Sequence, residues 1–162
     1  MVETRLSFFY HNNRKNNYEK FKNLSEFKGL KIGTTIGYNY GPEFTKLINN
    51  KTLTVESAPS DEINFLKLKG GRIDTFTVEM MVGEFLLNRL QEQGKLKESE
   101  RKSLVVHPKS FVNEPLYMMF SKSGDQEKIK GLYHKFQSGL AKIKKEGIKT
   151  KIYQDYFAKA KK

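Results

Sequence analysis

The segment Leu30–Phe44, LKIGTTIGYNYGPEF, predicts a buried strand, a loop bounded by glycines, and the start of a helix. Apolar or β-branched side chains occupy every second position of its first half, which is the period of a strand. Gly37 and Gly41 bracket the loop, and Pro42 suits a first helical turn because no N–H is needed there. Open α/β sheets bind ligands where a strand passes through such a loop into a helix. The segment therefore predicts a ligand-binding edge.

The composition allows a folded core and excludes several classes of protein. The chain has 162 residues, enough for one domain or two small lobes, and its 12 Phe and 8 Tyr supply apolar volume. It contains no apolar run long enough to cross a bilayer and no secretory signal at its start. Because cysteine is absent, disulfides, thiolate catalysis and cysteine-based metal sites are excluded.

The net charge of +12 is concentrated near the C-terminus, where residues 122–162 hold twelve lysines and four acidic residues. Such charge is compatible with nucleic-acid binding. These lysines, however, are scattered around a regular apolar stripe, and the segment contains no arginine, the residue that most often contacts bases. We therefore interpret it as a solvated helix face and expect no nucleic-acid partner. A lysine-rich nucleic-acid-binding domain is kept as the less favoured alternative.

Strands and helices alternate along most of the chain. Strands are predicted at residues 6–11, 30–36, 53–56, 72–79, 104–106 and 116–120, with the first and last of them flanking the sheet. Helices are predicted between them, one beginning at Pro42 and one after an N-cap at Ser60. Two more are predicted near the C-terminus, one after a cap at Asp125 or Gly124 and one after Gly147. The inward residues predicted for the two central helices are Ile63, Leu66, Val82, Phe85, Leu86 and Leu90, with Phe65 as an additional candidate. This alternation predicts an α/β fold with a mostly parallel five-stranded sheet and helices on both faces.

Four stretches carry a resemblance to a known family. They are residues 26–33 (EFKGLKIG), 37–41 (GYNYG), 69–76 (KGGRIDTF) and 147–157 (GIKTKIYQDYF). With them the chain resembles the extracellular solute-binding proteins of ABC transporters, in the group similar to the polar-amino-acid receptors with the type II periplasmic-binding-protein fold. The third stretch is the most specific, because a glycine turn that leads through Arg-Ile-Asp into a strand recurs in that family.

The resemblance implies a particular domain organisation. Residues 1–12 would be the first hinge strand and a remnant of the first lobe, and residues 28–112 a complete second lobe. Residues 113–162 would be the return hinge strand and C-terminal helices that pack on the first lobe. The opening part of that lobe has no counterpart here, so the resemblance implies truncation at the N-terminus.

The resemblance also implies a function. The chain would be a fragment of the substrate-binding component of an ABC transporter, which binds an amino acid or a similar small polar solute by clamshell closure. Its partners would be that solute and a membrane permease, and its location periplasmic or extracytoplasmic. A ligand-sensing module on the same fold is the alternative. No cofactor is expected, the histidines lack the spacing of a metal site, and no nucleophile–base pair points to an enzyme.

The resemblance places the ligand-binding residues at the carboxyl edge of the sheet. The predicted site residues are Gly37, Tyr38, Asn39, Tyr40, Ser57 and Glu79. The loop stands where the family has small hydroxyl residues that bind the ligand carboxylate, and Glu79 where an acid, usually Asp, pairs with the ligand ammonium. Each has a simpler alternative: Glu79 starts its helix near the dipole, the tyrosines cover the loop, and Ser57 belongs to a turn. Asp74 is interpreted as structural.

One prediction concerns self-association. The apolar stripe from Ile129 to Ile143 lacks a partner if part of the first lobe is missing, so we expect a homo-oligomer or a strand-exchanged dimer to cover it. Sedimentation velocity should then show mass that increases with protein concentration. A monomer over a wide concentration range, with no apolar surface accessible to a dye, would contradict this expectation.

Overall fold

The computed structural model describes residues 2–159, except for the side chains at positions 2, 3, 15, 16, 114, 153 and 156–159. Position 1 of the predicted first hinge strand and positions 160–162 of the predicted C-terminal segment lie outside the described residues. The chain divides into two compact units, Met1–Leu116 and Tyr117–Lys162. Each unit is described by itself below.

The first unit contains all the described strands. They are β1 (Val2–His11), β2 (Lys31–Thr35), β3 (Thr54–Ala58), β4 (Thr75–Glu79), β5 (Leu104–Val106) and β6 (Val112–Leu116). Its α-helices are α1 (Lys15–Tyr18), α2 (Pro42–Asn49), α3 (Asp61–Lys69), α4 (Met80–Glu92) and α5 (Glu98–Ser103). Short 3₁₀ turns lie at Asn12–Arg14 and Leu24–Phe27. The predicted helix starts at Pro42 and after Ser60 are confirmed.

The strands form one sheet in the order β3-β2-β4-β1-β5, with β6 also paired to β1. β2 is parallel to β3 and β4, whereas β1 is antiparallel to β4, β5 and β6. Five strands therefore run in one direction and β1 runs against them. The predicted α/β class with a mostly parallel sheet is confirmed, and the sheet has six strands within the described residues where a five-stranded sheet was predicted.

The position predicted for the first strand is wrong, because β1 lies between β4 and β5 rather than at an edge. Phe8, Phe9 and Tyr10 are consecutive, and none is more than 1% exposed. Apolar residues in an unbroken run are typical of strands that are covered on both faces. This run in β1 was the available indication of a central strand.

The strand predicted at residues 116–120 is also wrong. The observed strand, β6, is Val112–Leu116, and residues 117–120 lie outside any strand. Pro115 concealed it, because proline lacks the N–H that a strand interior uses and argues against a strand in sequence analysis. Pairing with β1 sets the true bounds: Leu6 is opposite Val112, and Val2 is opposite Leu116.

Two apolar clusters lie on the two faces of the sheet, and adjacent residues of β1 enter different clusters. Phe9 belongs to the cluster under α3 and α4, where its ring meets the edge of Phe65 at 5.2 Å. Phe8 belongs to the other cluster, where it stacks on Phe27 at 3.9 Å between ring centroids. Alternate side chains of a strand point to opposite faces, so β1 contributes to both cores.

The inward faces of α3 and α4 differ in part from the prediction. Ile63, Leu66, Val82 and Phe85 are exposed, whereas Leu86 and Leu90 are buried as predicted. Phe65, the additional candidate, also faces inward, and the residues that do so without having been predicted are Asn64, Leu68, Gly83 and Leu87. Asn64 in α3 and Gly83 in α4 are buried although neither is a large apolar residue. The apolar pattern therefore predicted an inward face that is rotated by about one residue from the observed face.

Asp74 has the structural role that was predicted. Its carboxylate Oδ2 accepts a hydrogen bond from the Lys31 N–H at 2.8 Å, and its own N–H donates to the Lys31 carbonyl at 2.9 Å. The pair joins the start of β2 to the turn before β4. Asp74 therefore lies at the end of the sheet opposite to the carboxyl ends of these strands.

The second unit consists of α6 (Gln126–Lys145) and α7 (Ile148–Lys159). The Asp125 carboxylate caps α6 by accepting from the N–H groups of Glu127 and Lys128. Among the stripe residues, Leu132, Tyr133 and Ile143 are exposed. None of the helices in the described residues has the length and apolarity that a bilayer span requires.

The contact between Gly83 and Phe9 gives a test of the core. A Cβ at Gly83 would overlap the Phe9 ring and would lie 3.0 Å from Val78 Cγ1. Gly83→Ala should therefore lower the free energy of unfolding by about 1–3 kcal/mol, since overpacking outweighs a helix-propensity gain of up to about 1 kcal/mol. Urea unfolding measures the difference. Gly139→Ala, where a Cβ in α6 meets nothing within 4 Å, is the control and should be neutral or stabilising.

Two buried tyrosines give a second test. The Tyr40 hydroxyl accepts a hydrogen bond from the Thr35 N–H at 2.6 Å, whereas the Tyr10 hydroxyl has no partner within the described part of the chain. Tyr40→Phe leaves a buried N–H unsatisfied and should cost about 1–3 kcal/mol in the free energy of unfolding. Tyr10→Phe, the matched control, should cost close to nothing. Equal effects of the two substitutions in urea unfolding would contradict these assignments.

Candidate functional site

A cavity of about 550 Å³ lies at the edge of the first unit where β2 and β4 end. The loop after β2, the first turns of α2, α3 and α4, and parts of β1, β4 and β6 surround it. Its lining residues are Thr4, Leu6, Tyr38, Asn39, Gly41, Pro42, Asp61, Val78, Glu79, Val82 and Pro115. The carboxyl ends of parallel strands meet at one edge of a sheet, which brings these loops together.

Glu79 is the last residue of β4, and its carboxylate has two roles. It is the N-cap of α4, where Oε2 accepts a hydrogen bond from the Val82 N–H at 2.9 Å. It also lines the cavity, next to the buried Val78 and opposite Leu6 of β1. The simpler alternative, a role at the start of the helix, is therefore observed, and the carboxylate also lies at the cavity.

Asp61 is a second acid of the cavity. It is the first residue of α3 and only 6% exposed. Its Oδ1 accepts a hydrogen bond from Thr35 Oγ1 at 2.5 Å, and its Oδ2 accepts from the Tyr38 hydroxyl at 3.2 Å. Asn64 donates from Nδ2 to Thr35 Oγ1 at 3.1 Å, which orients the threonine proton toward Asp61.

Sequence reasoning did not identify Asp61 as a site residue. The available signal was its position just after β3, at the same sheet edge as Glu79. An acid in a first helical turn is common, because it interacts favourably with the helix dipole. Because the helix-terminal role alone accounts for an acid at this position, the sequence did not indicate that Asp61 also lines the cavity.

Tyr38 lies at the mouth of the cavity, and its side chain is about half exposed. The negative charge of Asp61 raises the pKa of the Tyr38 hydroxyl above its usual value, because a phenolate beside a carboxylate is disfavoured. Partial burial and the hydrogen bond to Asp61 act in the same direction. The hydroxyl therefore stays protonated at neutral pH and donates to Asp61.

The remaining residues of the loop have different structural roles. Gly37 and Gly41 have φ values of 83° and 84°, which residues with a Cβ rarely adopt. The Asn39 side chain lines the cavity, and its Oδ1 accepts from the Gly41 N–H at 2.9 Å. Tyr40 turns inward to the core and packs against Phe44 with 5.3 Å between ring centroids. The loop thus has one side toward the cavity and one toward the core.

The structure brings together three of the six predicted site residues. Tyr38, Asn39 and Glu79 line the cavity, and Gly37, Tyr40 and Ser57 are not among its lining residues. Ser57 instead lies with its Oγ 3.0 Å from Thr34 Oγ1, across the β2–β3 pair.

The charge of the cavity is opposite to that of the chain. Its lining residues include two carboxylates and no lysine, arginine or histidine. In the described part of the chain, neither carboxylate takes part in an ion pair. Acids elsewhere that do so are Glu56, Glu62, Glu84, Glu98, Glu100 and Glu146. The cavity is therefore suited to a cationic group. No cluster of three or more metal-ligating side chains is found among the described residues.

Comparisons with known proteins bear on the fold. No protein-family model matches the sequence, and no curated protein matches it either. Solved structures do match over nearly the whole chain. One is an ancestral arginine-binding protein bound to arginine, with 22% sequence identity and a TM-score of 0.60 over 96% of this chain and 61% of that chain.

Two further solved structures give the same result. An ancestral cationic amino acid solute-binding protein, AncCDT-1, has 19% identity and a TM-score of 0.61 over 96% of this chain and 59% of that chain. A mutant of ArgBP from T. maritima has 15% identity and a TM-score of 0.58 over 97% of this chain and 59% of that chain. Another structure of AncCDT-1 is described as a precursor of cyclohexadienyl dehydratase, so an enzyme is connected with this fold.

The chain spans about three fifths of the length of these solved structures. At this level of identity the likeness establishes the fold. The chain has the α/β fold of amino-acid-binding periplasmic proteins, the type II periplasmic-binding-protein fold.

Proposed function

We propose that this protein binds a small polar solute that carries an amino group, such as an amino acid, in the cavity at the carboxyl edge of the sheet. The observation that carries the proposal is the pair of carboxylates, Asp61 and Glu79, in a cavity lined by no basic residue. In a chain of net charge +12, an acidic cavity is a local exception that a cationic ligand explains.

Glu79 is the residue proposed to bind the ligand ammonium. One of its oxygens is held by the Val82 N–H, which fixes the carboxylate without neutralising it. The buried side chains of Leu6 and Val78 line the cavity beside the group. An ammonium about 4 Å away gains about 1–4 kcal/mol, depending on how much water remains between the charges. The solved structures bound to arginine and glutamine support an amino-acid-like ligand.

The proposal includes a place in transport. The cavity forms one wall of a cleft, and the first lobe closes over the solute in a hinge motion driven by contacts that exist only in the closed state. The protein then delivers the solute to a membrane permease of an ABC transporter on the extracytoplasmic side. It acts as a binding protein and not as an enzyme, a role supported by the matching solved structures that are described as binding proteins.

Binding is tested by titrating the full chain with L-arginine and following the backbone amides by NMR. We expect shifts at residues 37–41, 61–64 and 79–82, with a dissociation constant of the order of millimolar, since one wall provides only part of a cleft. Glu79→Gln should weaken binding at least about fivefold, because a charged hydrogen bond becomes a neutral one. The glutamine oxygen still accepts from the Val82 N–H, so the helix cap is kept.

Glu62→Gln is the matched control, because Glu62 lies beside Asp61 but outside the cavity lining and faces Arg89 and Lys95 at 3.8 Å. It should leave L-arginine binding unchanged. The absence of shifts at the cavity, or shifts confined to α6 and α7, would refute the proposal.

A further inference from the structure

We propose that the cavity selects a linear diamine, a ligand with two ammonium groups joined by methylenes, over an amino acid. This inference rests on the proposed function of the cavity and specifies its substrate class. It uses Asp61 as a second cation-binding residue in addition to Glu79.

The first argument concerns the groups available for a ligand carboxylate. The family resemblance assigns that contact to the loop after β2, but both tyrosine hydroxyls of this loop already have partners. The Tyr38 hydroxyl donates a hydrogen bond to Asp61. The Tyr40 hydroxyl lies in the core and accepts a hydrogen bond from the Thr35 N–H. A ligand carboxylate would find only neutral donors, such as those of Asn39 and Thr4, beside two acids. Like charges in a partly desolvated cavity repel.

The second argument concerns the burial of Asp61. Its side chain lines the cavity although the residue is 94% buried, and in the described part of the chain it has no cationic partner. Aspartate is seldom buried to this degree unless it is paired. Its present donors are two hydroxyls, and the one from Tyr38 is long at 3.2 Å. An ammonium that replaced the Tyr38 hydroxyl would form a shorter, charge-assisted hydrogen bond.

The third argument concerns the surface that accompanies the two acids. The other lining side chains are largely apolar, namely Leu6, Pro42, Val78, Val82 and Pro115. Such side chains bury the methylene groups of a ligand favourably. They provide no hydrogen bond for a polar group in the middle of a ligand. Two acids and an apolar surface match a chain of methylenes with a cation at each end.

The test compares affinities measured by isothermal titration calorimetry on the full chain. The ligands are α,ω-diaminoalkanes of three to six carbons, the primary monoamine of the same length as the best of them, L-arginine and L-glutamine. The best diamine should bind about tenfold more tightly than its monoamine, since a second ion pair in a partly wet site contributes about a factor of ten. Both amino acids should bind more weakly than that diamine.

Variants assign the preference to the two acids. Asp61→Asn and Glu79→Gln should each reduce diamine affinity about tenfold, to the level of the monoamine. Glu62→Gln should retain the tenfold preference. Asparagine keeps the shape of Asp61 and an oxygen that accepts from Thr35, and thermal unfolding shows whether the variant is folded. If it is not, Glu79→Gln alone provides the comparison.

The outcomes separate this inference from the proposed function. An amino acid that binds more tightly than every diamine would overturn the diamine inference and support the proposed function. Equal affinities for diamine and monoamine would overturn the role of Asp61. No binding of any amine would overturn both.

Discussion

The structure depends on the burial of β1 on both of its faces. Phe8 and Phe9 are adjacent in sequence, and each is almost fully buried in a different cluster. The strand also pairs through backbone hydrogen bonds with β4, β5 and β6. It therefore fixes the positions of three strands that are distant from it in sequence. The position of the cavity also depends on β1, because Leu6 of β1 lies opposite Glu79. Strand β6, which pairs with β1, contributes Pro115 to the cavity lining.

The candidate site contains two acids that also have a role in the fold. Glu79 caps α4, and Asp61 begins α3. Both occupy helix N-termini, where partial positive charge from the backbone lowers the cost of burying a carboxylate. The fold can therefore hold two acids without a basic neighbour, and the cavity remains open to a cation.

Local features were predictable because their causes are local. The glycine-bounded loop, the proline at the start of α2, the serine cap of α3 and the aspartate cap of α6 each depend on residues within one turn. Tyr38, Asn39 and Glu79, which the family resemblance predicted as site residues, all line the cavity, because the loop after β2 and the end of β4 lie at the same edge of the sheet. Strand β6 was misplaced because Pro115 is tolerated only through a pairing with β1 that the sequence does not display.

The sequence by itself determined the order of the elements, their α/β class and the edge of the sheet at which the cavity lies, since periodicity and capping are short-range properties. Only the tertiary structure decided that Tyr40 turns into the core while Tyr38 stays at the cavity, and that Asp61 meets Tyr38 across two loops. Those outcomes depend on contacts between segments distant in the chain. The loop Gly37–Gly41 is thus one wall of an acidic cavity, and packing assigned its two tyrosines to different roles.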